Sequence, residues 1–126
     1  MRACLGRRLA RLLRREIMRW VRREFEDGAN TLEVSVADGD ILGTEEWQDS
    51  ADLRSVAYKY RFRIFDVRTG DTAAEGTAKT LVWIDGRKCK DGSDLARVLS
   101  TDIDSPYQLY GQLSSFFAKL SERKVF

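Results

Sequence analysis

The sequence predicts a single α+β domain over residues 1–126, in which a curved antiparallel sheet packs on an amphipathic N-terminal helix. Three observations predict it. Residues 5–25 repeat apolar side chains at three- and four-residue steps. Residues 53–86 instead alternate them at every second position, the period of a strand with one buried and one wet face. Between the two halves of that second stretch lies Asp66-Val-Arg-Thr-Gly-Asp71, whose Gly70 can take positive φ in a turn.

The helix comes first, within a basic segment spanning 1–26. Leu5, Leu9, Leu12, Leu13, Ile17, Trp20 and Val21 make its apolar stripe, and Arg8, Arg11, Arg15, Arg19 and Arg22 its opposite face. Glu16 and Glu24 fall within the apolar stripe at about 100° per residue. Asp27-Gly28 supplies a stop. The sheet is expected over 31–86. Leu32, Val34 and Val36 alternate, and Asp38-Gly39 makes either a tight hairpin into Asp40–Trp47 or a bulge within one long strand. Val56, Tyr58, Tyr60, Phe62 and Ile64 give the next strand its buried face. Ala74, Gly76, Ala78, Thr80, Val82 and Ile84 share a face of the return strand, whose small residues predict close packing. The total is three or four strands. Helices are expected over 93–122: a short one capped by Ser93 and running to about Leu99, then one opened by Ser105-Pro106 with Leu109, Leu113, Phe116, Phe117 and Leu120 inward.

Composition bounds the chemistry. A chain of 126 residues, 43% hydrophobic and 33% charged, fits one globular domain. No apolar run approaches the ~18 residues of a membrane span. There is no histidine, which removes Ser-His-Asp and Cys-His catalysis and imidazole metal ligation. Cys4 and Cys89 form no CxxC pair, so neither a zinc site nor any other metal or cofactor is expected. They fit free thiols in a reducing, cytoplasmic setting, with a single disulfide as the other option. The net charge of +2 divides unevenly: nine arginines and two glutamates give residues 1–25 a charge of +7, and the remainder carries −5.

Residues 30–88 resemble the later strands of the hotdog-fold acyl-CoA thioesterases of the 4-hydroxybenzoyl-CoA type. Arg54-Ser55 ahead of an aromatic alternating strand is similar to an Arg-Ser pair of that family. YRFRIFDVRTGD resembles its strand and acidic-glycine turn, and AAEGTAKTLVWIDGR its small-residue strand ending in Asp-Gly. NTLEVSV corresponds to the preceding strand. The resemblance implies a hotdog-like fold, a homodimer, and an acyl-CoA or acyl-carrier thioester as ligand. The chain departs from the family in having no histidine, in beginning directly in a helix without a first strand, and in lacking the proline-containing strand. The expected function is therefore a thioesterase-like protein that binds or hydrolyses such a thioester, and the missing catalytic segment favours binding without turnover.

Glu16 is the first candidate for a catalytic carboxylate, because burial on the helix face raises a carboxylate pKa into a useful range; Glu24 is the second. The plainer expectation is that both are peripheral or pair with Arg19 or Arg23. Arg54 and Ser55 carry over from the resemblance as contacts for nucleotide or pantetheine, and Arg87, Lys88 and Lys90 form a basic loop suited to phosphates. Solvated surface positions explain them equally well. The alternative function is a non-enzymatic interaction module of cystatin-like or NTF2-like type. Its basic helix, residues 5–25, then docks on an acidic partner or a membrane surface; nucleic acid is not expected as a partner.

Overall fold

The computed structural model describes residues 6–87 and 95–123. Helix α1 (Gly6–Phe25) is followed by β1 (Leu32–Ser35), β2 (Ile41–Gln48), β3 (Leu53–Asp66), β4 (Thr72–Asp85) and β5 (Leu95–Ile103), then helix α2 (Pro106–Arg123). The domain is α+β, with one five-stranded, curved antiparallel sheet.

The β3–β4 hairpin is the spine. Its register pairs Tyr58 with Thr80, Tyr60 with Ala78 and Phe62 with Gly76. Tyr60, Phe62 and Ile64 of β3 and Ala78, Val82 and Ile84 of β4 are fully buried, so the alternation in sequence is the alternation between faces. Gly76 is required by that packing: a Cβ there would stand 2.8 Å from the Phe62 ring. At the turn Gly70 takes φ 79 and donates its N–H to the Asp66 carbonyl. The Asp66 carboxylate accepts the Arg68 backbone N–H at 2.8 Å, and that bond holds its pKa below the usual value.

β1 and β2 both run antiparallel to β3 along the same edge, β1 opposite 63–66 and β2 opposite 54–60. The chain therefore does not reverse at Asp38-Gly39. A 3-10 turn over Asp38–Asp40 offsets one interrupted strand, fixed by the Ala37 N–H to the Asp40 carboxylate at 2.8 Å. Gly39 lacks the positive φ that a tight hairpin turn needs, so the bulged-strand alternative describes this segment.

The largest departure from expectation is β5. Residues 95–103 form a strand on the free edge of β4, not the end of a helix running to Leu99. Ser93, the expected cap, lies outside the described residues, as do Cys4, Cys89, Lys88 and Lys90. Helix α2 begins where Pro106 was expected to start one, and it is the one C-terminal helix among the described residues.

Both helices cover one face of the sheet. Leu13, Ile17 and Val21 of α1 are completely buried, and so is Leu113 of α2. Burial of side chains this size contributes roughly 2 kcal/mol each. Phe25 joins the helices, stacking on Tyr110 at 4.8 Å and meeting Phe117 at 5.2 Å. α2 also completes the sheet. β5 ends opposite Ala78, and beyond it the Gln112 amide bonds both the N–H and the carbonyl of Glu75, each at 3.1 Å. Among the described residues no helix lies over the other sheet face. There Arg63 lies over Phe65 at 4.8 Å and Arg97 over Trp83 at 5.4 Å.

Candidate functional site

A groove opens where the second half of α1, the end of β5 and the first turn of α2 meet. Its polar part, about 400 Å³, is lined by Glu16, Arg19, Trp20, Arg23, Thr101 and Asp102, with Ile103 and Pro106 closing one end. Trp20 and Pro106 are shared with an apolar extension of about 430 Å³, completed by Glu24, Tyr107 and Tyr110. Tyr107 is 91% exposed, an unusual position for a large aromatic side chain.

Glu16 sits at the inner wall, with its side chain only 10% exposed. Thr101 donates to its Oε1 at 3.0 Å, and the Arg19 guanidinium stands 3.3 Å from Oε2. Behind Thr101 two more hydroxyls continue inward: Thr80 lies 3.0 Å from Thr101, and Tyr60 lies 2.8 Å from Thr80. Each hydroxyl has one hydrogen to give. Because Thr101 spends its hydrogen on Glu16, Thr80 must donate to Thr101 and Tyr60 to Thr80. The chain of donors therefore points from the middle of the core to the carboxylate. Burial, and secondarily the negative charge of Glu16, push the Tyr60 phenol up to about 12, so it remains a donor at neutral pH.

Glu24, 37% exposed, lines the apolar extension and faces Arg23 at 3.7 Å. Both carboxylates read as catalytic candidates thus lie on one groove. Both also make the arginine pairs that the plainer expectation named.

The substrate-binding candidates, Arg54 and Ser55 from the resemblance and Arg87 from its basic loop, lie elsewhere. Arg54 is four residues along β3 from Tyr58, about 13 Å, and two strands away from Thr101. It is buried and donates to Glu46 at 2.9 Å. Ser55 donates to Asp49 at 3.1 Å. Arg87 grips Asp85 with two bonds, at 2.9 and 2.7 Å, and this partner raises its pKa. Arg54, Ser55 and Arg87 therefore share one end of the β3–β4 hairpin, each engaged by an acidic neighbour, and do not join Glu16. Lys88 lies outside the described residues.

The residues missed in sequence are Thr101, Thr80 and Tyr107. Thr80 was assigned to the buried face, but nothing linear marks it as a hydrogen-bond partner of residues 20 positions before and 21 after it. Among the described residues no helix is long and apolar enough to cross a membrane, and no three Asp, Glu, Cys or His side chains cluster as metal ligands. Compared with known proteins, the chain matches no family model, no curated protein and no solved structure.

Proposed function

We propose that this protein binds an acyl thioester, of coenzyme A or of an acyl carrier, in the groove between α1, β5 and α2, and does not hydrolyse it. The observation that carries the reading is the continuity of a polar compartment holding Glu16 with an apolar one walled by Trp20, Tyr107 and Tyr110. An acyl thioester has the same division, an apolar chain attached to a polar pantetheine arm that ends in phosphates. The acyl chain lies against the three aromatic rings. The pantetheine amides meet Glu16 and Asp102, and the phosphates draw Arg23 from its exposed pair with Glu24, which costs little to break.

Binding without turnover follows from the state of Glu16. One oxygen accepts from Thr101 and the other faces Arg19. Both oxygens are thus oriented by protein partners rather than towards a water in the groove, which is poor geometry for a general base. The resemblance to hotdog thioesterases over residues 30–88 adds a homodimer to the proposal, and the two cysteines, read as free thiols, add a cytoplasmic setting.

Calorimetric titration with acetyl-, octanoyl- and palmitoyl-CoA, run beside a thiol-release assay, tests it. The expected result is saturable binding that tightens with chain length, loses at least tenfold in Tyr107→Ala, and releases no thiol. Absence of binding for all three ligands at millimolar concentration overturns it.

A further inference from the structure

The opposite flank of α1 carries a second groove. It lies between the helix and β1, encloses about 320 Å³, and is lined by Arg11, Arg14, Arg15 and Arg22 over an apolar floor of Met18 and Val34. We infer that this groove is a binding site for a phosphomonoester or polyphosphate group, either free in solution or on a lipid headgroup. The inference is independent of the acyl-thioester reading, because the two grooves lie on opposite sides of α1.

The first support is an imbalance within one helix. Arg19 and Arg23, on the β5 side, each face a glutamate. Among the described residues, none of the four arginines of the second groove has a carboxylate within salt-bridge distance. Arg11 stands four residues from Arg15 and three from Arg14, spacings at which like charges on a helix repel. Packing does not require this arrangement: Arg11, Arg15 and Arg22 are exposed, and only Arg14 is half-buried. An anion seated among them would relieve this repulsion, which neither packing nor a paired carboxylate does.

The second support is the shape of the site. Met18 and Val34 are 7% and 6% exposed, so the floor is a low-dielectric wall beneath the charges, which concentrates their field in the groove. Guanidinium forks bind phosphate oxygens in pairs, and four of them around one groove suit a dianion or larger. The apolar stripe of α1 is committed to the sheet, so the helix cannot insert into a bilayer. A lipid would be met through its headgroup alone. Glu33, exposed at the rim, sets an upper bound on affinity by repelling the same ligand.

The test is titration of the whole chain with inorganic triphosphate, together with sedimentation on phosphatidylcholine vesicles containing either phosphatidic acid or phosphatidylserine at matched surface charge. The expected result is saturable triphosphate binding that falls at least tenfold in R11Q/R15Q and tightens two- to fivefold in E33Q. K59Q/R61Q, a charge-matched control on the uncovered sheet face, should leave it within twofold. Phosphatidic acid vesicles that compete with triphosphate would add the headgroup as a source. Vesicles that fail to compete, with triphosphate still bound, would assign the site to a free ligand. Equal weakening by the two double variants overturns the inference, as does binding to both vesicle types alike with no binding of triphosphate. All three variants alter exposed side chains, and circular dichroism checks that each is folded.

Discussion

Thr101 donates its hydroxyl to Glu16 across 3.0 Å, joining β5 to α1 over 85 residues of sequence. The bond fixes the carboxylate at the wall of the groove and ends a line of donors that starts at Tyr60. Thr101→Val keeps the shape and removes the hydroxyl, leaving both the Thr80 hydroxyl and Glu16 Oε1 one partner short. Chemical denaturation should show a loss of about 1–2 kcal/mol. Glu16→Gln retains the Oε1 acceptor and gives up an ion pair whose arginine end is 65% exposed, so its stability should stay within about 1 kcal/mol of the native chain.

The pH dependence of that donor line has a definite sign. Tyr60 titrates at about 12 in the folded chain against 10.0 for the free side chain. Its contribution to stability is therefore complete below pH 10 and is lost as the pH rises from 10 towards 12, because the unfolded chain releases the proton first. Tyr60→Phe should flatten the stability profile in that window, at a cost of about 1 kcal/mol at neutral pH. Denaturation midpoints measured from pH 7 to 12 check both statements.

Gln112 does for Glu75 what a neighbouring strand would do. Gln112→Ala leaves an N–H and a carbonyl of β4 to solvent and should cost about 1 kcal/mol. Gln112→Glu should cost more, because it sets a carboxylate oxygen against the Glu75 carbonyl where the amide N–H stood. Amide exchange at Glu75 reads the same bond directly and should quicken in both variants.

Gly76→Ala drives a Cβ into the Phe62 ring, itself only 1% exposed and unable to swing aside. Overpacking of this kind costs roughly 1–3 kcal/mol. The double variant Gly76→Ala/Phe62→Leu should recover part of the loss, measured as a coupling in a double-mutant cycle.

Where one period ran unbroken, the fold was legible in sequence. Val56 to Ile64 keep strict alternation, and Leu13, Ile17 and Val21 keep a four-residue step; each segment folds as its period requires. β5 was misread because a bulge hides its period. Val98 lies opposite Val82 and Ser100 opposite Leu81, leaving Leu99 as the extra residue. Core positions then fall at 96, 98, 101 and 103, and the apolar trio Leu95, Val98 and Leu99 takes on helical spacing. The break between β1 and β2 was ambiguous for a different reason: Asp-Gly marks a turn in sequence, but only backbone φ separates a reversal from an offset.

The candidate site was half legible. Glu16 was identified because its helical angle sets it among apolar residues, a conflict that calls for a polar partner. Its partners come from β5 and, behind that, from β4 and β3, and no linear pattern records which hydroxyls converge across three strands. Arg54 and Ser55 were added through resemblance and Arg87 through the basic charge of its loop. In the folded chain their acidic neighbours Glu46, Asp49 and Asp85 hold them at the open end of the hairpin.

The most direct test of the acyl-thioester reading is chemical-shift mapping of the isotope-labelled chain titrated with octanoyl-CoA. The account predicts saturable shifts concentrated at Glu16, Trp20, Thr101 and Tyr107, with the Arg54 end of the hairpin silent. Shifts confined to Arg54, Ser55 and Arg87, or none at millimolar ligand, would contradict it.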